Sequence, residues 1–556
     1  MRSSARTRYR PIRAGLGPAA RRKTRPFVPA ALAACALVAG CGGGNATPAD
    51  PGSASTSGGI PRAQVAAPHG VEVSPGSTPQ QIAAAVSSDL FVSAPVAVVV
   101  GPGDPAAVHA AATAATEIGA PLLLGDAPPP TPSATAPSTT PASPRPAAGP
   151  AATEVQRLRA GHVLLVGAVG GPAGGKLGGA TVVRAQGVGS AAVAQAVATL
   201  PTIGRPIPLR DTTVLVRTGG ASGAETEAAP VAAATATVAG ATVVPVAADD
   251  PRSDSKAVTA LARRPAGPVL AAGPGFGPVA TLTRRLTVAR TGVQLPGGGQ
   301  VMFPGRALVA LYGHPGNTAL GVLGDQDAAA SVARAQQVAA PYAGLYHVPV
   351  IPTFEIIAAV ASGSAGADGD YSNEFSPASL LPFVDAITRA GGYVVLDLQP
   401  GRANVLDQAK MYAPLLKRPN VGLALDAEWA LRPGQQPLHQ IGSLDASQIN
   451  AVFDWLSAFT AAAHLPQKVL VLHQFRLTML GHEAALETGN DQVAVLIHAD
   501  GQGSRPDKEA TWRGVIGAAP PGVWFGWKNF YKQDPQMASP TATVARKPQP
   551  VMVSYQ

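Results

Sequence analysis

The sequence predicts an α/β protein in two parts, a parallel α/β region followed by a (β/α)8 barrel. Between about Leu90 and Leu295, short runs of Val and Leu alternate with Ala-rich helical stretches. Continuous apolar strands between helices belong to parallel sheets covered on both faces. From Arg306 to Gln556 eight such runs can be marked, most of them separated by helical segments; this is the size and order of eight βα units. Several of these runs end in polar residues spaced two apart, the spacing that turns both side chains into a barrel mouth.

Ahead of the folded parts, residues 1–40 read as an export signal. The first 25 residues carry nine basic side chains, and no acid occurs before Asp50. An apolar stretch from Phe27 to Val38 follows, short for a permanent span and right for a cleavable core. It ends in Val38-Ala39-Gly40-Cys41, which resembles the lipobox of bacterial lipoproteins. That resemblance implies cleavage before Cys41, acylation of Cys41 (palmitate-type chains) and a lipid anchor holding the protein at the extracytoplasmic face of the cell membrane. A plain secretory signal and an uncleaved anchor are the alternatives. The Arg21-Arg22 pair raises twin-arginine export, but the residues after it fit that signal poorly.

The formal charge of +9 belongs to this signal, because 33 basic residues remain after Arg25 against 33 acidic ones. A neutral remainder removes the argument for nucleic acid as a partner. The two cysteines are Cys35 and Cys41, so the folded parts have no disulfide, thiolate ligand or thiol nucleophile.

Residues 41–85 read as a disordered tether: from Gly42 to about Pro79 they are mostly Gly, Ser, Thr, Ala and Pro, too poor in large apolar side chains to offset ordering entropy. The α/β domain is placed at residues 86–298, with strands at Val96–Val100, Leu122–Leu124, His162–Val166, Thr213–Val216, Thr242–Val246 and Val269–Ala272. A Pro-, Ser- and Ala-rich insertion, residues 127–150, interrupts it; the segments on either side look like halves of one α/β unit. Gly101-Pro-Gly-Asp104 follows a strand and opens a helix. It lacks the third glycine of a dinucleotide loop, so it reads as a tight turn.

A Rossmann-like repeat is visible here. Val96–Val100 with Gly101-Pro-Gly-Asp104, a helix from Ala106 to Ile118, Gly119–Leu124 and Leu158–Gly167 together resemble the cell wall-binding repeat type 2 of Gram-positive surface proteins. A looser copy runs from Val214 through Ala228–Ala239, Gly240–Pro245 and Ala257–Arg264 to Val269–Gly273. The resemblance implies a parallel α/β fold and a cell-wall glycan or peptidoglycan partner. It departs from that family after Val183, where the Arg-Tyr pair usual between repeats is missing.

The barrel is placed at residues 299–556. Its strands are read at Ala307–Tyr312, Val348–Ile357, Tyr393–Leu398, Val421–Leu425, Val469–Leu472, Val493–Ile497, Val523–Trp527 and Val551–Tyr555. Helices are read at Ala328–Ala340, Pro377–Ala390, Asn404–Leu416, Ala446–Ala463 and Asp507–Ile516, with none clear before the last strand. The strand ends carry Tyr312 and His314, Asp397 and Gln399, Asp426 and Glu428, His473 and Gln474, and His498 and Asp500. Glu355 lies in the second strand and Lys528 follows the seventh. Polar pairs after apolar runs are hard to place in a core, which leaves a ligand-binding or catalytic mouth, or the relic of one.

The sharpest signal is Leu423-Ala-Leu-Asp426-Ala-Glu428-Trp429. Glycoside hydrolysis needs one carboxyl held protonated as the acid and a second nearby to stabilise positive charge, and Asp-x-Glu at a strand end puts both on one side. The segment resembles the fourth-strand signature of barrel lysozymes and chitinases, which implies that Glu428 is the acid; Asp426 is read as its electrostatic partner, and Asp397 completes the candidate catalytic set. Chitinases have further aspartates where Val421 and Ala424 stand, and the lysozymes have one where Tyr312 and His314 stand. Trp429, Trp524 and Trp527 fall near strand ends and suit the apolar faces of sugar rings. With Tyr312, His314, Glu355, Gln399, His473, Gln474, His498, Asp500 and Lys528 they make the expected substrate-binding set, with no cofactor. A zinc hydrolase using His314, Asp397, His473, His498 and Asp500 is the competing enzyme reading, and a non-catalytic polysaccharide-binding or scaffold lipoprotein the alternative to any enzyme.

Overall fold

The computed structural model describes residues 60–128, 149–170, 175–219 and 223–556. The export signal, Cys41 and most of the 127–150 insertion lie outside the described residues. Residues 59–556 form one compact unit, and among the described residues no helix is long and apolar enough to cross a membrane.

The N-terminal region is built from two sheets whose parallel strands run in the same order; the first also carries a two-residue antiparallel edge, Lys176–Leu177. The first contains β2 (Val96–Val100), β3 (Leu122–Leu124), β4 (His162–Val166) and β5 (Ala180–Arg184), ordered β3-β2-β4-β5. The second contains β6 (Thr213–Arg217), β7 (Thr242–Val246) and β8 (Val269–Ala271), ordered β7-β6-β8. Its fourth strand, where β5 stands in the first sheet, is β1 (Val71–Val73), from the start of the described chain. One apolar cluster holds Val98, Leu123 and Leu164 from the first sheet together with Val214, Val216 and Leu270 from the second, so the copies share a core.

This arrangement corrects the tether's far end. Residues 60–85 are built into the fold: Gln64–Val65 pairs with Phe91–Ser93, β1 edges the second sheet, and α1 (Pro79–Leu90) packs on the helix Gly223–Val238. A three-residue edge strand is held by backbone bonds from Val269 to Gly70 and from Ser74 to Ala271, which average composition does not reveal. The Gly101 turn is as read, since a Cβ there would run into the Ala168 carbonyl and Asp104 caps α2 (Pro105–Ile118).

The C-terminal region is a closed barrel of eight parallel strands, separated mainly by helices. They are β9 (Ala307–Gly313), β10 (Val350–Ala361), β11 (Tyr393–Leu398), β12 (Val421–Asp426), β13 (Lys468–Gln474), β14 (Val493–Ala499), β15 (Trp524–Asn529) and β16 (Met552–Tyr555). Each pairs in parallel with its sequence neighbour, and β16 returns to β9. The expected gap before the last strand holds one short helix, Pro540–Val544. Side chains alternate across each strand. Outward residues such as Val394, Leu470 and Val495 pack under the helices; inward ones such as Leu308, Val395, Ala424, Val471 and Leu496 fill the lower barrel.

The α/β region braces the amino ends of the strands. Arg252 donates to the Asp491 carbonyl, and Arg285 Nη2 lies 2.8 Å from Asp491 Oδ1. The opposite end is left for loops.

Candidate active site

One step above the apolar filling, the inward position is polar on every strand: Tyr312, Glu355, Asp397, Asp426, His473, His498, Lys528 and Ser554, all buried. His473 is the centre of this layer. Its Nδ1 lies 3.0 Å from Asp500 Oδ2 and its Nε2 3.1 Å from Glu355 Oε1. Burial alone would lower its pKa, but Asp397, Asp500 and Glu355 outweigh that and raise it well above the ordinary value. A raised pKa favours the imidazolium, whose two N–H groups face Asp500 and Glu355. His498, stacked edge-on to it at 5.4 Å, is pushed down to about 3 by burial and stays neutral, with Nε2 2.7 Å from Ser554 Oγ. Gly526 makes room for that ring, since a Cβ there would collide with His498 Nδ1.

Around this pair the acids divide. Glu355 and Asp500 are pushed up by burial but held below the usual range by the hydrogen bonds and charge of His473. Asp397 accepts the Tyr312 hydroxyl at 2.8 Å and is raised by burial. Asp426 is raised well above the ordinary range, by burial first and then by Glu428 and Asp397. Glu428, on the single turn Ala427–Trp429 that follows β12, is pushed up to about 7 by burial and the negative charge of Asp500, against the pull of Lys528 and His473. One cavity of about 660 Å³ is lined by Glu428, Asp426, Asp500, Tyr312, Gln399, Trp429 and Lys528, with Phe475, Arg476, Phe530 and Gln533. Lys528 Nζ sits 3.5 Å above the Tyr312 ring. Asp426 and Asp500 each have one buried oxygen without a protein partner, as does the indole nitrogen of Trp429.

Of the residues expected from the sequence, seven line this cavity, and Glu355, Asp397, His473 and His498 form the network beneath it. Four are placed elsewhere. His314 turns its Nδ1 to the Ile357 carbonyl and stacks on Phe375 at 3.7 Å. Gln474 falls on the outward side, one residue after the inward His473, and donates to Glu483 at 3.0 Å. Trp524 begins its strand and packs against Phe303 at the far end of the barrel. Trp527 points outward, donating to Asn529 at 2.9 Å with the Arg546 guanidinium 3.4 Å above its ring. Ser554 was missed, although two-residue spacing from the inward Met552 signals it. Arg476 and Gln533 lie outside the strands and carry no periodic signal.

The zinc reading finds no ligand set in the mouth. Among the described residues the trio within ligand reach of one another is Asp368, Asp370 and Glu374, which is outside the cavity lining.

No known family description matches the chain, and no curated protein matches it in sequence. Among solved structures the chain is similar to Cwp6 from Clostridium difficile, at 12% identity and a TM-score of 0.29, over 59% of this chain and 62% of that one. It thus spans less than two thirds of that protein, and a likeness at this level carries no inference about fold or function.

Proposed function

We propose that this is a lipid-anchored cell-envelope protein whose barrel hydrolyses glycosidic bonds of an envelope glycan. The observation that carries the reading is the split between two carboxyls on one cavity, Glu428 pushed up to about 7 and Asp500 held down by His473. Pairs of acids whose surroundings drive them apart assign the roles in acid-base catalysis. Glu428 donates its proton to the glycosidic oxygen as the C–O bond breaks, ionised Asp500 faces the positive charge that develops on the sugar, and water bonds to the anomeric carbon, its released proton restoring the acid. The sequence suggested Asp426 as that partner. Its own upward shift suits it better to donating a hydrogen bond than to balancing a cation. His473 fixes Asp500 and keeps it ionised, and Trp429 offers a face to a pyranose ring.

The test is release of reducing ends from peptidoglycan and other envelope polymers by the whole chain. Glu428→Gln should lower kcat at least a hundredfold, the range for loss of a general acid, and wild-type activity should fall as pH rises through about 7. Unchanged turnover by the variant would sink the assignment. The unpartnered oxygens of Asp426 and Asp500 also favour a second reading, a non-catalytic polymer-binding cleft; sacculus binding without turnover would select it.

The address rests on Cys41. Two acyl chains, at about 0.8 kcal/mol per buried methylene, anchor a protein without a spanning helix. Cys41→Ala should move mature-size protein out of the membrane fraction or leave an uncleaved precursor, and an unchanged membrane-bound amount would overturn the anchor.

A further inference from the structure

Glu428 does not close one end of its cavity. A second cavity of about 350 Å³ opens beside it, and Glu428, Trp429 and Arg476 line both. The rest of the second wall is the loop of residues 431–443, through Leu438, His439, Gln440 and Ile441. Leu438 is 85% exposed at φ 66° and Ile441 is 38% exposed, so the loop holds apolar side chains out beside the acid. Bulky residues avoid positive φ unless something compensates.

The two cavities also differ in charge. Asp426, Asp500 and Lys528 line the larger one, whereas the smaller has no acid besides Glu428, which is uncharged below about pH 7. Among the described residues the Arg476 side chain has no carboxylate or hydrogen-bond partner, only the Phe475 ring 5.8 Å away. A guanidinium presents a fork of donors matched to a carboxylate or phosphate. An acid at the dead end of a pocket would take a chain terminus; an acid between two cavities has room for sugar units on both sides.

We infer that, given the glycan-hydrolase reading above, the substrate is a polymer cut at an internal linkage, and that the unit on the 431–443 side carries an anionic group received by Arg476. Leu438 and Ile441 cover the apolar face of that unit, and the anion lies on the rim, where water reaches it when the cleft is empty.

Binding tests this apart from turnover. The whole chain is titrated calorimetrically with a six-unit hexuronate oligosaccharide, with the same oligomer after carboxyl reduction, and with peptide-free muramyl glycan strands; the first and third distinguish a ring carboxylate from a lactyl one. Arg476→Gln should weaken binding of at least one charged probe fivefold or more and of the neutral oligomer less than twofold, while Arg476→Lys recovers part of the loss. Equal effects on charged and neutral probes, or none, overturn the anionic subsite. With end-labelled polymer, early products should be mid-length oligomers; release of single units alone overturns the internal cut. If no polymer is turned over but Arg476→Gln still selectively loses the charged probe, the hydrolase reading and with it the internal cut fall, and the anionic subsite stands.

Discussion

Both halves of the molecule put charged groups at the carboxyl ends of parallel strands, and they treat them in opposite ways. In the second sheet of the α/β region, buried Arg217 lies 2.6 Å from Glu225 and 2.6 Å from Asp249, while Glu225 also accepts from the Gly275 amide. None of the buried side-chain atoms of Arg217 and Glu225 is left without a partner. In the barrel, Glu355, Asp397, Asp426 and Asp500 each keep a buried oxygen unmatched. Buried polar groups are normally satisfied, so the first cluster reads as architecture. The second holds unmatched oxygens and shifted pKa values of the kind that marks working sites.

The largest break in this comparison comes from the satisfied side. Arg217→Met removes one member of a buried pair and leaves Glu225 charged without its partner, which costs about 3–5 kcal/mol. Chemical denaturation of the whole chain should show that loss. The proposed hydrolytic activity should match wild type in the molecules still folded, because Arg217 lies in the other half of the chain. A loss under 1 kcal/mol would mean that the α/β cluster is as loosely matched as the barrel's.

Glu428 gives the converse case, a group whose ionisation destabilises the fold. Its carboxyl rises from an ordinary 4.5 to about 7. The stability it contributes is fully present below pH 4.5, declines as pH rises through 7, and is flat above that. At about 1.4 kcal/mol per pKa unit, and discounted for partial exposure, the decline is about 2 kcal/mol. Subtracting the profile of Glu428→Gln isolates it, since the variant cannot ionise there. The variant should gain on wild type between pH 4.5 and 7.5. Parallel profiles would place the carboxyl in ordinary solvent and remove the general acid.

The same contrast explains what the sequence made legible. Strands such as Tyr393–Leu398 and Lys468–Gln474 are built on continuous apolar runs, Tyr393–Leu396 and Val469–Leu472, so their number and order could be read along the chain. Polar pairs two apart, Asp397 with Gln399, Asp426 with Glu428, and His498 with Asp500, fall on the inward side at the carboxyl ends of their strands, because inward positions recur every second residue. Where that spacing was not applied, the reading slipped. Gln474 is one residue out of phase with His473, and Trp527 one out of phase with Lys528. Trp524 has the inward phase but sits at the wrong end, an error of position along the strand. Arg476 and the 431–443 loop were invisible, because no periodicity fixes where a loop side chain falls.

The smallest effect lies at the other missed element, α1. Its start carries a capping box: Thr78 Oγ1 accepts from the Gln81 amide at 3.2 Å, and Gln81 Oε1 accepts from the Thr78 amide at 3.3 Å. Ser or Thr followed three residues later by Gln or Glu is a readable helix start, here submerged in a stretch whose average composition looks disordered. The box matters because α1 buries Ile82, Ala83, Val86 and Leu90, joining the strand that completes the second sheet to the body of the first. Thr78→Ala should cost about 1 kcal/mol, the usual worth of a cap, and Thr78→Ser about nothing. If residues 60–90 were a tether, both variants would melt like wild type, and amide exchange across residues 79–90 would be as fast as in unstructured chain. If α1 is part of the core, the alanine variant exchanges faster there while β9–β16 keep their protection, because the barrel's strands close on one another and need nothing from this helix.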